Sequence, residues 1–293
     1  MGFVILAHER PQHVARIARH LAKEGAPVVI HYDRRSPGRE VLAREAGVPV
    51  LATQSGEWGM FGLVAATLDA VRELLAGAPT TRHVCLISGA CLPLRPVSEL
   101  VSFLTEHPET DFIQSAEPRD WIRGGLDEER FTLHHPVPWR RRRWLFDRLV
   151  HAQRRLRLRR RLPQGLTPRL GRQWWCLTAA SLRALLADPR LPAWERFFRT
   201  VWIPDESFFQ SLIPLVARQI DPRPLTLARF DHRGLPFVFH DDHQPLLAGA
   251  DHFFARKIDP DAAGLVEWAL ANTKGHGDFR DQIDEAPFAA AGD

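Results

Sequence analysis

Phe3-Val4-Ile5-Leu6-Ala7 is an uninterrupted apolar run that stops abruptly at His8-Glu9-Arg10-Pro11. A run this short cannot span a bilayer and reads as a buried strand. Beyond the break, Val14, Ile17, Ala18 and Leu21 recur at the spacing of one helical face. A buried strand passing directly into a helix is the unit from which parallel sheets are built.

The unit repeats downstream. Residues 27–32 predict a second buried strand, closed by His31-Tyr32-Asp33, residues 40–46 a helix, and residues 49–52 a short third strand. Residues 63–75 carry another helical stripe, residues 83–88 a fourth strand and residues 97–104 a further helix. Such alternation predicts an α/β fold with a mostly parallel central sheet flanked by helices, its functional groups gathered at the carboxyl ends of the strands. His8 and Glu9 follow the first strand, Asp33 the second, and Ser88, Gly89 and Cys91 the fourth; all are expected to project into one crevice. Between them, Glu57-Trp58-Gly59-Met60-Phe61-Gly62 has the glycines for a tight backbone ahead of a helix, suited to facing a sugar or phosphate. No Gly-x-Gly-x-x-Gly follows the first strand and no phosphate-binding lysine loop occurs, which removes support for nicotinamide dehydrogenases and P-loop kinases.

With 293 residues, 45% hydrophobic and 25% charged, the chain is long enough to bury a substantial core in one large domain or two closely packed ones. Cys85, Cys91 and Cys176 have neither metal-ligand spacing nor a disulfide pattern and point to a reducing compartment. The first residues lack the basic flank and cleavage site of a signal peptide, so a cytoplasmic location is expected.

The formal charge of +4 is local in origin. Residues 139–161 hold eleven arginines, the first Arg140 and the last Arg161, interleaved with Trp144, Leu145, Phe146, Leu149, Leu156 and Leu158. A basic helical hairpin, a surface for anionic lipid or an acidic glycan, and a solvated helix docked by its apolar side all fit this pattern. No nucleic-acid module accompanies it, and no nucleic-acid partner is expected. The segment 139–170 reads as an insertion in a domain covering residues 1–275, ahead of a polar tail at 276–293.

Further on, Gln173-Trp174-Trp175-Cys176-Leu177-Thr178 predicts a strand leading into a helix. Its paired tryptophans suit either sugar stacking or core packing. In Ile203-Pro204-Asp205-Glu206-Ser207-Phe208-Phe209-Gln210, Glu206 and Ser207 are expected in the first turn of a helix whose apolar face is Phe208, Phe209, Leu212 and Ile213. The two acids there serve equally well as a helix cap or as a source of a general base. Residues 225–230 predict a strand, Gly234-Leu235-Pro236 a turn and residues 237–240 a further extended segment. Side-chain alternation in an extended His240-Asp241-Asp242-His243 would send neighbours to opposite faces, which argues against a metal site. Finally, Phe254-Ala255-Arg256-Lys257 sets two cations behind an aromatic anchor.

In their order, these motifs resemble the core-2/I-branching glycosyltransferases, the family of β-1,6-N-acetylglucosaminyltransferases and peptide O-xylosyltransferases. The resemblance rests on His8-Glu9, His31-Tyr32-Asp33, Trp58-Gly59, the run Leu86-Ile87-Ser88-Gly89-Ala90-Cys91-Leu92-Pro93-Leu94, Gly171-Arg172-Gln173-Trp174-Trp175, Pro204-Asp205-Glu206-Ser207 and Phe254-Ala255-Arg256-Lys257. It implies a GT-A-like nucleotide-sugar fold and inverting transfer from a UDP-sugar to a glycan or glycoconjugate, with no cofactor and no divalent metal. N-acetylglucosamine is the favoured donor sugar and xylose the alternative. By the same likeness Glu206 is the general base. His8, Asp33, Trp58, Gly59, Ser88, Gly89, Arg256 and Lys257 lie around the donor, and Trp174, Trp175 and Asp205 on the acceptor or sugar side. Many relatives carry an aspartate where this chain has Cys91. The chain also resembles an unanchored member, with the arginine-rich stretch a candidate for peripheral contact with an anionic membrane. A basic membrane- or glycan-binding protein without turnover is the reading of another class.

Overall fold

The structure is a computed structural model describing residues 1–121, 128–231 and 235–272. The tail expected at 276–293 and Gly234 of the expected turn lie outside the described residues. In chain order the first half contains β1 (Gly2–Ala7), α1 (Pro11–Lys23), β2 (Val28–Tyr32), α2 (Arg39–Ala46), β3 (Val50–Leu51), α3 (Gly62–Gly77), β4 (His83–Ser88), β5 (Leu92–Pro93), α4 (Val97–Glu106), β6 (Thr110–Phe112), α5 (Glu129–Thr132) and α6 (Arg143–Arg155). The second half contains β7 (Cys176–Thr178), α7 (Ala179–Ala187), α8 (Leu191–Phe198), α9 (Phe208–Leu212), β8 (Gln219–Asp221), β9 (Thr226–Ala228), α10 (Gln244–Ala248), β10 (Phe254–Arg256) and α11 (Ala263–Ala271).

The period of two along β1 divides the interior into two layers. Phe3, Ile5 and Ala7 face one set of buried side chains, and Val4 and Leu6 face another across the sheet. The same division runs through β4, where Cys85 and Ile87 join the first layer and Val84 and Leu86 the second. With both faces covered, these strands must be apolar throughout, which is why they read as continuous runs. α1 seals the first layer with Val14, Ile17, Ala18 and Leu21, while α3 seals the second with Val64, Leu68, Val71 and Leu75.

Seven strands form the central sheet in the order β3-β2-β1-β4-β7-β6-β8. β1 pairs in parallel with β2 and β4, β2 with β3, and β6 with β8, whereas β7 is antiparallel to both its neighbours. The sheet is therefore mostly parallel, as the alternation predicts. Strand order reverses at β1 and β4, and connections leaving that junction in opposite directions open a crevice at the carboxyl ends of the two strands. A smaller sheet, β5-β10-β9, closes one side of it.

Three local expectations need correction. The extended run expected at 173–178 pairs as a strand only over β7, although Trp175 still accepts a hydrogen bond from the Leu86 N–H at 2.9 Å. Residues 237–240 form no strand; Phe239 makes an isolated bridge to Ile258. His240-Asp241-Asp242-His243 is not extended, because Asp241–His243 is a 3-10 turn. Its side chains are spent separately: His240 on Asp259, His243 on Asp242, and Asp241 on the Leu265 N–H of α11.

Burial of a polar group is tolerated where its bonds are complete. Asp111 of β6 is fully buried and accepts from the Thr178 N–H and the Ser181 hydroxyl, both at 2.6 Å, while Thr178 caps α7 through the Ser181 N–H. The second layer is richest in aromatic contacts around Phe208, whose ring lies 5.9 Å from Phe61 and 5.1 Å from both Phe198 and Phe209. Phe208→Ala is expected to cost about 3–5 kcal/mol of unfolding free energy, measured by urea titration. A loss below about 1 kcal/mol would show that this cluster is not a packed core.

Candidate active site

Pro204, Asp205 and Glu206 form a single 3-10 turn, and Ser207, at φ −144°, breaks it before α9 begins. Glu206 and Ser207, expected in the first turn of the helix, therefore precede it. Proline at 204 disfavours the right-handed α region at Ile203, and Ile203 adopts a left-handed backbone at φ 51°. For a β-branched residue that conformation costs about 1–3 kcal/mol. Burial of Ile203 and donation of its N–H to the Gly59 carbonyl at 3.2 Å hold it there. Gly59, itself at φ 75°, meets this turn with no side chain in the way. Trp58-Gly59 and Asp205-Glu206, separated by almost half the chain, are thereby brought together.

Glu206 keeps about a third of its side chain exposed, and its Oε2 accepts from Arg130 Nη1 at 3.1 Å. Arg130 is fully buried on α5, its guanidinium 5.3 Å from the centre of the Trp202 ring. An enclosed cation facing a carboxylate at the water boundary fixes where that carboxylate points. Asp205 behaves differently: burial pushes it up to about 7, the neighbouring Glu206 adds to the rise, and Arg130 opposes it. Its Oδ1 is enclosed without a hydrogen-bond partner. Two adjacent acids thus hold different environments, one orienting a solvent-touching carboxylate and the other favouring the protonated form.

A second group of predicted residues meets at the sheet crevice. His8, Glu9, Ser88 and Gly89 at the ends of β1 and β4, with Arg256 closing β10 and Lys257 after it, line a cavity of about 100 Å³. The Ile258 N–H donates to Ala90 at 3.1 Å, and the Phe239 N–H to the Lys257 carbonyl at 2.8 Å, fixing the basic pair beside the end of β4. The Arg256 guanidinium lies 4.4 Å from the centre of the Trp174 ring, and its Nε is enclosed without a partner. Cys91 lies beneath, fully buried, its Sγ 3.3 Å from both the N–H and the hydroxyl of Ser88. Burial pushes the Cys91 thiol up and the Arg256 guanidinium down.

The two groups are connected by the strap 171–174. Gly171 donates its N–H to the Glu206 carbonyl at 3.0 Å, Gln210 Nε2 holds the Arg172 carbonyl at 2.8 Å, and Trp174 ends the strap under Arg256. Gly171 admits no side chain, since a Cβ there would fall 2.0 Å from the Gln114 carbonyl oxygen.

The single crevice expected from the strand ends is only partly formed. Asp33 turns aside, accepting the Arg35 and Gly56 N–H groups at 2.7 Å each, and so anchors the loop that leads to Trp58. Cys91 points into the core. Trp175 is buried against Phe209, 4.9 Å between ring centroids, which leaves Trp174 as the member of the pair at the crevice. Sequence reasoning missed Arg130 altogether. It lies in Asp127-Glu128-Glu129-Arg130, where nothing separates it from an ordinary surface charge run. Trp202 and Trp139 were legible only as apolar residues, although their rings lie 6.4 and 5.8 Å from that of Trp58.

The model of the family described as Core-2/I-Branching enzyme matches residues 2–235. The mixed α/β fold is thus GT-A-like. The chain belongs to the core-2/I-branching enzyme family. The chain is 25% identical to xylosyltransferase 2 of Rattus norvegicus over 209 residues, 69% of this chain and 21% of that protein. It is 24% identical to human xylosyltransferase 2 over 226 residues, 73% of this chain and 24% of the other. Rat xylosyltransferase 1 is 24% identical over 223 residues, 73% of this chain and 26% of the other. The matched region therefore spans about a quarter or less of these relatives. Among solved structures, 4-diphosphocytidyl-2C-methyl-D-erythritol synthase covers 84% of this chain and 96% of its own at TM-score 0.36 and 12% identity, too slight a likeness to carry an argument.

The raised value of Asp205 has a consequence for stability. Between the ordinary carboxylate range and about 7, the folded protein retains a proton that the unfolded chain has released, so this group's contribution falls as pH rises from 4 to 7. Relative to Asp205→Asn, the wild type is expected to lose about 2–4 kcal/mol across that interval, read from urea unfolding at each pH. A difference that stays constant with pH would mean that Asp205 ionises normally.

Proposed function

We propose that the protein is a glycosyltransferase that moves a sugar from a UDP-sugar to an acceptor hydroxyl with inversion and without a divalent metal. The observation that carries the reading is the pairing of solvent-touching Glu206 with fully buried Arg130, across the strap from a cavity edged by Arg256 and Lys257. In this mechanism the acceptor oxygen attacks the anomeric carbon from the face opposite UDP. The new carbon–oxygen bond forms as the bond to the diphosphate breaks, and Glu206 takes the hydroxyl proton. Arg130 is a positioning residue that keeps the Glu206 carboxylate aimed at the acceptor, and Asp205, favouring its protonated form, leaves Glu206 as the acceptor of that proton.

The departing diphosphate gains negative charge, and Lys257 and Arg256 are placed to meet it. Metal-dependent relatives of this fold class would use carboxylates at the end of the fourth strand; this chain has Ser88, Gly89, Ala90 and Cys91 there. Because the buried Cys91 thiol favours its neutral form, it does not cancel the charge of Arg256 beside it. His8, Ser88 and Gly89 line the donor cavity, while Asp33 acts indirectly by holding the loop that carries Trp58. Trp174 offers a ring face to a sugar.

The named relatives are xylosyltransferases, which supports xylose as the transferred sugar; N-acetylglucosamine, the sugar favoured by the motif resemblance, is the second reading. The arginine-rich stretch is used internally at several points, which draws the reading away from membrane attachment. Among the described residues no helix is long and apolar enough to cross a membrane.

Turnover of UDP-xylose or UDP-N-acetylglucosamine is expected in the presence of EDTA. Glu206→Gln should lower kcat by about 10²–10⁴ while UDP affinity, measured calorimetrically, is retained. Full turnover by this variant would refute the base assignment, and abolition of wild-type turnover by the chelator would refute metal independence.

A further inference from the structure

The arginine-rich segment does not form a hairpin. Its one helix is α6, whose Phe146 and Val150 dock on Leu133, Val137, Trp139 and Trp202. Beside it runs a groove of about 790 Å³, whose lining includes Trp139, Phe146, Arg148, His151, Arg155 and Trp202. That volume is in the usual range for a ligand site, roughly 300–1,000 Å³. Packing links the groove to the candidate active site: Trp202, one of its lining residues, lies 5.3 Å from the Arg130 guanidinium, which in turn holds Glu206.

We propose that this groove binds an acidic glycan, a saccharide bearing carboxylate groups, as the acceptor-side extension of the active site. Its use as an acceptor site rests on the transferase reading above; its affinity for an acidic saccharide does not. The charge distribution carries the argument. Six of the eleven arginines are engaged within the protein: Arg140 over Trp58, Arg141 on Glu57, Arg143 on Asp147, Arg154 and Arg159 on Glu129, and Arg160 on the Phe197 carbonyl and Thr200. Arg148 and Arg155, both exposed on the groove, have no ion-pair partner among the described residues. Asp147, the acid lining the groove, is already paired with Arg143 at 3.7 Å. The groove thus offers aromatic side chains to apolar ring faces and unspent cations to carboxylates, the pairing that an acidic sugar presents. A membrane fits less well, since α6 turns its apolar stripe inward onto the domain.

The test is calorimetric binding of a galacturonic acid tetrasaccharide and of its methyl ester, which keeps the rings and removes the charge. Wild-type protein is expected to bind the acid about tenfold or more tightly than the ester at low salt, with the difference shrinking as salt is raised. Arg148→Ala combined with Arg155→Ala should weaken the acid about tenfold and leave the ester nearly unchanged, with an unaltered melting temperature as the fold control. Trp139→Ala should weaken both ligands. Equal affinity for acid and ester, or undiminished affinity for the acid in the arginine variant, would overturn the proposal. So would arginine-dependent binding of anionic vesicles or an acidic peptide with none of the tetrasaccharide. Wild-type UDP-sugar hydrolysis is assayed separately: if it is absent while the tetrasaccharide binds through Arg148 and Arg155, the transferase reading fails and the groove stands as a glycan site.

Discussion

Burial of β1 on both faces is the constraint from which the remaining structure follows. A strand covered by α1 on one side and α3 on the other has no room for a polar side chain until it leaves the sheet, so the first polar groups appear together at its carboxyl end. Flanking β1 with β2 on one edge and β4 on the other puts His8 and Ser88 at the same rim. The crevice is where the sheet changes direction, and it is also the nearest place where polar chemistry can be supported by a rigid apolar frame.

Two further constraints bring distant segments to that frame. The left-handed backbone at Ile203 points the chain at Gly59, and the side-chain-free approach of Gly171 to the Gln114 carbonyl lets the strap 171–174 lie close to Glu206. Both arrangements are costly in isolation and are held by packing elsewhere, a pattern common at sites that act on ligands. The outcome is a pair of adjacent acids with unlike surroundings. Arg130, itself removed from water, faces Glu206, while Asp205 keeps an enclosed oxygen without a hydrogen-bond partner.

The positive charge is distributed with similar economy. Arg256 lies over Trp174 above a thiol that stays neutral, so its charge remains directed at the cavity. In the arginine-rich segment, Arg140 and Arg141 tie the chain to Trp58 and Glu57, and Arg160 is half-buried among the Phe131 and Phe197 carbonyls and Thr200. A run that looks uniform in sequence is thus divided into arginines that build the protein and arginines that face outward.

The sequence by itself determined the layered α/β architecture, because strands buried on both faces must be apolar runs and helices covering them must repeat at 3.6 residues. It also determined the family, through the order of short motifs, and singled out Glu206, Arg256 and Lys257 within them. What it did not contain was any pairing between residues far apart in the chain. Arg130 is one charge among acids until the fold sets it against Glu206, 76 positions later. Trp174 and Trp175 are equivalent in the sequence, and only packing sends one against Phe209 and the other beneath Arg256. Asp33 looked like a ligand-facing acid, yet the backbone donors of Arg35 and Gly56 claim both its oxygens. Periodicity and motif order are local properties that survive in one dimension; burial and charge pairing depend on which surfaces meet, and the tertiary structure alone decides that.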